Sequence, residues 1–195
     1  WVLFVVLGGY AAWRGWQSYS VKQAAQAAAL YDTVERSAMG GDIALLDRSV
    51  SDIKDKFAST TYAQQAALLA ARVYNDKDRK ADAKAQLTWV IDKASDEGYQ
   101  ALARLRLAAL LVEDKAYDEA RKQLTAKTPE AFAPLMADRL GDLAMLQAQP
   151  AEAVQHYKNA WKGFEPNAEY RRLVAVKLAA LGADPEDTPA VESKK

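Results

Sequence analysis

The sequence predicts an all-α fold: a serial stack of antiparallel helix hairpins, an α-solenoid, preceded by a single N-terminal membrane helix. Three observations predict it. Strong helix formers dominate a chain that is 50% hydrophobic, and no segment sustains the period-two alternation of a half-buried strand. Small residues recur at helical offsets in paired segments. The opening stretch, WVLFVVLGGYAAW, carries no charge.

That stretch begins inside an apolar run, which predicts the C-terminal part of a transmembrane anchor over residues 1–19, with more of the span upstream, because a bilayer needs roughly 20 apolar residues. Trp1 and Phe4 would face lipid, and Trp13, Arg14, Trp16 and Tyr19 crowd the place of an interfacial aromatic belt. The bulky WRGW does not suit a signal-peptide cleavage site. Gly8 with Ala12, and Ala11 with Gly15, are spaced so that another membrane helix could approach closely.

No proline follows, so the helix should continue through QSYSVKQAAQAAALYDTVERSA, with Ala27, Leu30, Tyr31, Val34 and Ala38 as its apolar stripe. Gly40 and Gly41 should end it, and Asp42 should cap the helix IALLDRSVSDIKDKF. Thr61 and Gln64 have capping-box spacing at the start of YAQQAALLAARVYN, and Asp78 can begin RKADAKAQLTWVIDKA. Gly98 precedes YQALARLRLAALLVE, Asp114 and Lys115 form a turn, and AYDEARKQLTA follows. Pro129, Pro134, Pro150 and Pro166 fall at helix starts or turns, where a missing N–H costs little. Gly182, Pro185 and Pro189 close the last helix, leaving residues 183–195 as a polar, disordered tail.

The helices pair and the pairs repeat. Ala83, Leu87 and Val90, then Ala120 and Leu124, then Ala153, Tyr157 and Ala160 occupy matching places, with the leading alanines 37 and 33 residues apart. Aligned on them, the first helices present Ala71 and Tyr74, then Leu107, Ala108 and Leu111, then Leu140, Gly141 and Ala144. Two helices approach closely only where side chains are small, so such residues must recur at each crossing. A period near 34 with this pattern is the tetratricopeptide signature, although the early aromatic of the first helix is replaced by Ala67, Arg104 and Ala137. Leu46, Val50 and Ile53 supply a degenerate first unit, and AEYRRLVAVKLAALG a covering last helix, so the repeat domain should span residues 20–182.

Chemistry finds little support. The 26 basic and 26 acidic residues cancel, leaving no footprint for nucleic acid, and there is no cysteine for thiol catalysis or disulfides. His156 is the only histidine and accompanies no nucleophile motif. Asp138 and Asp142 share a helix face without a histidine partner, so no metal site is expected, and no glycine-rich loop suggests a phosphate-bearing cofactor. The expectation is a non-enzyme without catalytic residues, metal or cofactor.

Binding is the activity to localise. In stacked hairpins the first helix of each pair lines a concave surface. The matching positions are Gln65, Leu68, Arg72 and Asn75, then Leu102, Leu105, Ala109 and Val112, then Leu135, Asp138, Asp142 and Met145. Its apolar middle suits unfolded polypeptide or a partner helix. The competing expectation is that Leu102, Leu105, Leu107 and Leu110 only fill the core.

An apolar anchor ending in WRGWQSYSVKQAAQAAALYD, followed by three imperfect tetratricopeptide hairpins and a short final helix, resembles the YfgM-type ancillary subunits of the bacterial Sec translocon. The resemblance implies a single-pass inner-membrane protein with its repeats in the periplasm. It also implies partners: the SecYEG channel, a membrane-anchored periplasmic chaperone of the PpiD type, and unfolded exported polypeptides. The alternatives are a scaffold subunit of another envelope complex, in outer-membrane assembly or cell division, and an enzyme with its site among the helices.

Overall fold

The computed structural model describes residues 1–186. Among them are nine α-helices, one short 3-10 helix and no strand. In order these are α1 (Val2–Gly40), α2 (Ile43–Phe57), α3 (Thr61–Asp76), α4 (Lys80–Lys93), α5 (Glu97–Glu113), α6 (Tyr117–Leu124), the 3-10 turn Glu130–Phe132, α7 (Ala133–Leu146), α8 (Pro150–Gly163) and α9 (Glu169–Ala180). The chain divides into two compact units, Trp1–Ala103 and Arg104–Lys195, with the division inside α5.

In the first unit α1 pairs with α2 and α3 with α4, while α3 also packs on α1 and α2. Leu46, Val50 and Ile53 of α2 are buried, as their placement in a first repeat requires, and Ala83, Leu87 and Val90 of α4 are buried with them. Alanines 66, 67, 70 and 71 of α3 are also buried, so α3 can lie close to its neighbours. Asp47 of α2 ties the unit together, accepting from the Tyr74 hydroxyl at 2.7 Å and from Arg79 at 3.1 Å.

The second unit centres on the α7/α8 hairpin. A carbon placed on Gly141 of α7 would stand 2.4 Å from Cε1 of Tyr157 on α8, and one placed on Gly163 would stand 2.7 Å from Cγ of Pro134. Neither approach tolerates a side chain. Helix α9 lies against α8 and completes a core of Ala144, Ala153, Tyr157, Ala160, Val174 and Leu178.

One device recurs at four helix–helix turns and at the end of α9. Gly41, Asp78, Lys115, Ala148 and Gly182 all take left-handed φ, between 57° and 70°. In each case the next residue returns an N–H to the carbonyl five residues before it: Asp42 to Ser37, Arg79 to Tyr74, Ala116 to Leu111, Gln149 to Ala144 and Ala183 to Leu178, all between 2.7 and 3.0 Å. This closure satisfies carbonyls that the helix end would otherwise leave open. The left-handed residues follow one another at 37, 37, 33 and 34 positions.

Several expected boundaries move. The cap of α3 is Thr60, whose Oγ1 accepts from the Ala63 N–H at 3.3 Å; Gln64, expected to complete a capping box, is instead buried with its Oε1 unpartnered. Asp78 cannot cap α4 because its backbone is left-handed; Arg79 occupies that position and bonds Asp82 at 2.6 Å. Asp96 starts α5 by accepting from the N–H groups of Gly98 and Tyr99. Gly41 and Asp42 act as expected, Asp42 accepting from the Leu45 N–H at 2.9 Å.

Residues 1–19, expected as the C-terminal part of an anchor, form the start of α1, and among the described residues no helix is long and apolar enough to cross a membrane. The uncharged run reaches about 20 Å before Arg14, against a hydrocarbon core of about 30 Å. Of the expected tail, residues 187–195 lie outside the described residues.

Candidate functional site

The amphipathic spacing of α5 places Leu105, Ala109 and Val112 along one stripe, and the structure leaves Leu105 and Val112 half-buried and Ala109 exposed. Across from them, α7 presents Leu135, Leu143 and Leu146, and Leu124 enters from the end of α6. Together they line an apolar groove of about 420 Å³ within the second unit, edged by Arg106, Arg139 and Asp142. Ala108 and Ala109 of α5 also line it.

Five expected contact residues, Leu105, Ala109, Val112, Leu135 and Asp142, therefore line one groove. Met145 lies on the same helix, 40% exposed, outside the lining. Leu102 is half-buried, whereas Leu107 and Leu110 are buried core residues. In the first unit Leu68 is buried, Gln65 is occupied by the Tyr99 hydroxyl at 2.8 Å, Arg72 is exposed, and Asn75 is half-buried with its Oδ1 unpartnered. Sequence reasoning missed Leu124, Leu143 and Leu146 as groove residues. Leu146 stands four positions from Asp142, which was the available signal.

Asp138 requires correction as a surface contact, because it is wholly buried. Its Oδ1 accepts from the Lys177 ammonium at 2.7 Å and its Oδ2 from the Tyr170 hydroxyl at 3.2 Å, with Arg139 at 3.6 Å. Lys177 also reaches Asp142 at 2.7 Å, and Asp142 accepts from the Tyr157 hydroxyl at 2.8 Å. Burial works against the Lys177 charge, but the bonds to Asp138 and Asp142 outweigh it and raise its pKa. Burial and then the bond to Asp142 hold the Tyr157 phenol well above its ordinary value. A carboxylate buried with a paired ammonium is a fixed strut between α7 and α9 rather than a reactive acid.

His156 is half-buried, its Nε2 3.3 Å from Glu152, which Arg121 also holds at 2.6 Å. Among the described residues no three His, Asp or Glu side chains converge as a metal site would require. What the groove can do is bury apolar side chains of something else.

Similarity to known proteins runs along nearly the whole chain. Proteins named ancillary SecYEG translocon subunit resemble it in three bacteria. In Neisseria gonorrhoeae the identity is 29% over 92% of this chain and 87% of the relative. In Haemophilus influenzae it is 28% over 82% and 78%, and in Escherichia coli 29% over 80% and 73%. The family described as tetratricopeptide repeat-like domain matches residues 1–183, which takes in every helix of the described residues and both sides of the groove. With that match added to the repeated hairpin turns, the chain belongs to the tetratricopeptide repeat-like domain family.

Proposed function

We propose that this protein is a membrane-anchored, non-enzymatic interaction module of the bacterial Sec export machinery. In this reading it sits at the inner membrane with its repeats in the periplasm. It joins the SecYEG channel to a membrane-anchored chaperone of the PpiD type and assists emerging secretory or outer-membrane proteins. The observation that carries the reading is the likeness, over 80–92% of this chain, to three relatives that bear the ancillary-subunit name.

Two features support it. The groove offers aliphatic side chains and two arginines, a surface that suits apolar stretches of an unfolded chain or one face of a partner helix. At the other end of the chain, Trp1, Val2, Leu3, Phe4, Val5, Val6 and Leu7 are between 56% and 100% exposed. So large an apolar surface marks contact with lipid or protein, and we assign it to the bilayer, with Gly8, Ala12, Trp13 and Trp16 continuing that surface toward the aqueous side.

Photo-crosslinking in intact cells from Leu105 or Met145 tests the reading. Capture of channel or chaperone subunits is expected. Consistent capture of outer-membrane-assembly or cell-division components instead, with the channel absent, would favour a scaffold elsewhere in the envelope.

A further inference from the structure

The uncharged run of α1 is followed by Trp16 and Tyr19, 71% and 58% exposed. These two side chains do not stand alone. They form one wall of a second groove, of about 350 Å³, whose other wall is the turn between α2 and α3, contributed by Ser59, Thr61 and Tyr62. The turn is thus held beside the stretch of α1 that starts at the two aromatics and continues through Ser20, Gln23 and Ala24.

That position has a physical meaning if the run before it enters a bilayer. Thirteen uncharged residues reach about 20 Å, and Trp16 and Tyr19 lie about 5–9 Å beyond Trp13. A headgroup layer adds about 5–8 Å on each side of the hydrocarbon core. Tryptophan and tyrosine favour that layer because an apolar ring carries a polar N–H or O–H at its edge. The groove's lining has no charged side chain, so nothing there repels a phosphate, while the exposed Ser59 and Thr61 and the Trp16 indole N–H supply donors.

We propose that the α2–α3 turn is a second membrane contact, docking on the phospholipid headgroups of the bilayer that holds α1. The inference rests on the membrane reading above and extends it. The first unit then stands on the bilayer at a fixed tilt instead of swinging on α1, because two points of contact restrict rotation where one does not.

The chain has no cysteine, so single labels can be placed cleanly. Nitroxides at Ser59→Cys, Lys77→Cys and Val6→Cys in the full chain, reconstituted in phosphatidylethanolamine/phosphatidylglycerol vesicles containing a nickel-chelating headgroup lipid, decide it. Lys77 is exposed at the opposite end of α3, about 24 Å from the turn for a 16-residue helix. The expected result is strong oxygen accessibility at position 6, and nickel relaxation several-fold greater at position 59 than at 77. A label at 6 in hydrocarbon with equal, weak nickel relaxation at 59 and 77 would overturn the second contact and leave the anchor intact. A label at 6 in water would overturn both.

Discussion

Replacing Gly141 with alanine sets two opposing effects against each other at one atom. In a helix interior the change from glycine to alanine stabilises by about 1 kcal/mol when the space is open. Here the new Cβ would stand 2.4 and 2.5 Å from Cε1 and Cδ1 of Tyr157, whereas carbon atoms rest about 3.5–4.0 Å apart. The ring cannot easily retreat, since Tyr157 is 3% exposed and its hydroxyl is fixed to Asp142 at 2.8 Å. Overpacking costs about 1–3 kcal/mol, and a lost hydrogen bond about 0.5–1.5 kcal/mol more. The net loss should be about 0.5–3.5 kcal/mol, a fall in Tm of about 1–14 °C for a chain of this size. Urea and thermal unfolding followed by circular dichroism measure it. Adding Tyr157→Leu should make the double loss smaller than the sum of the single losses by about 1 kcal/mol or more, as expected when one mutation relieves the clash of the other. Gly15→Ala, where nothing lies within 4 Å, is the open-space control and should cause no loss. If Gly141→Ala were as benign as that control, the close helix crossing would be refuted.

Lys177→Met should cost about 3–5 kcal/mol by leaving the buried Asp138 carboxylate without its ammonium, and adding Asp138→Asn should recover part of it in the same unfolding assay. Ala148→Gly should stabilise by about 0.5–1 kcal/mol, because glycine takes the left-handed turn without the Cβ penalty, and urea midpoints report it. At alkaline pH the Tyr74 and Tyr157 phenols, raised by burial and then by their bonds to Asp47 and Asp142, keep their protons when the unfolded chain has lost them. Their contribution is intact below the ordinary phenol value of about 10 and is lost as pH rises toward the folded values, so Tyr74→Phe/Tyr157→Phe should flatten the alkaline fall in stability.

The repeat was legible in the sequence because close packing leaves a mark on composition: the alanines at 83, 120 and 153 are all buried. Glycine told the same story at 141. The turns were less legible, since three of the five left-handed positions are Asp78, Lys115 and Ala148 rather than glycine. There the closing N–H to carbonyl bond holds a conformation that side-chain identity does not advertise. The groove was half legible. Helical spacing put Leu105, Ala109 and Val112 on one stripe, and all three line the groove, but it also selected Asp138, because a carboxylate reads as solvent-facing until its partner is known. Lys177 lies 39 residues away, on the covering helix, and no local pattern encodes which of that helix's side chains meet α7.

The most direct test fills the groove. Ala109 is exposed on its lining, so Ala109→Trp should place an indole in the groove without disturbing the core. With the full chain in lipid nanodiscs, binding of unfolded apolar peptides measured by fluorescence anisotropy should weaken by at least about tenfold, with an unchanged melting curve. Undiminished binding would contradict the assignment of the α5/α7 groove as the docking surface.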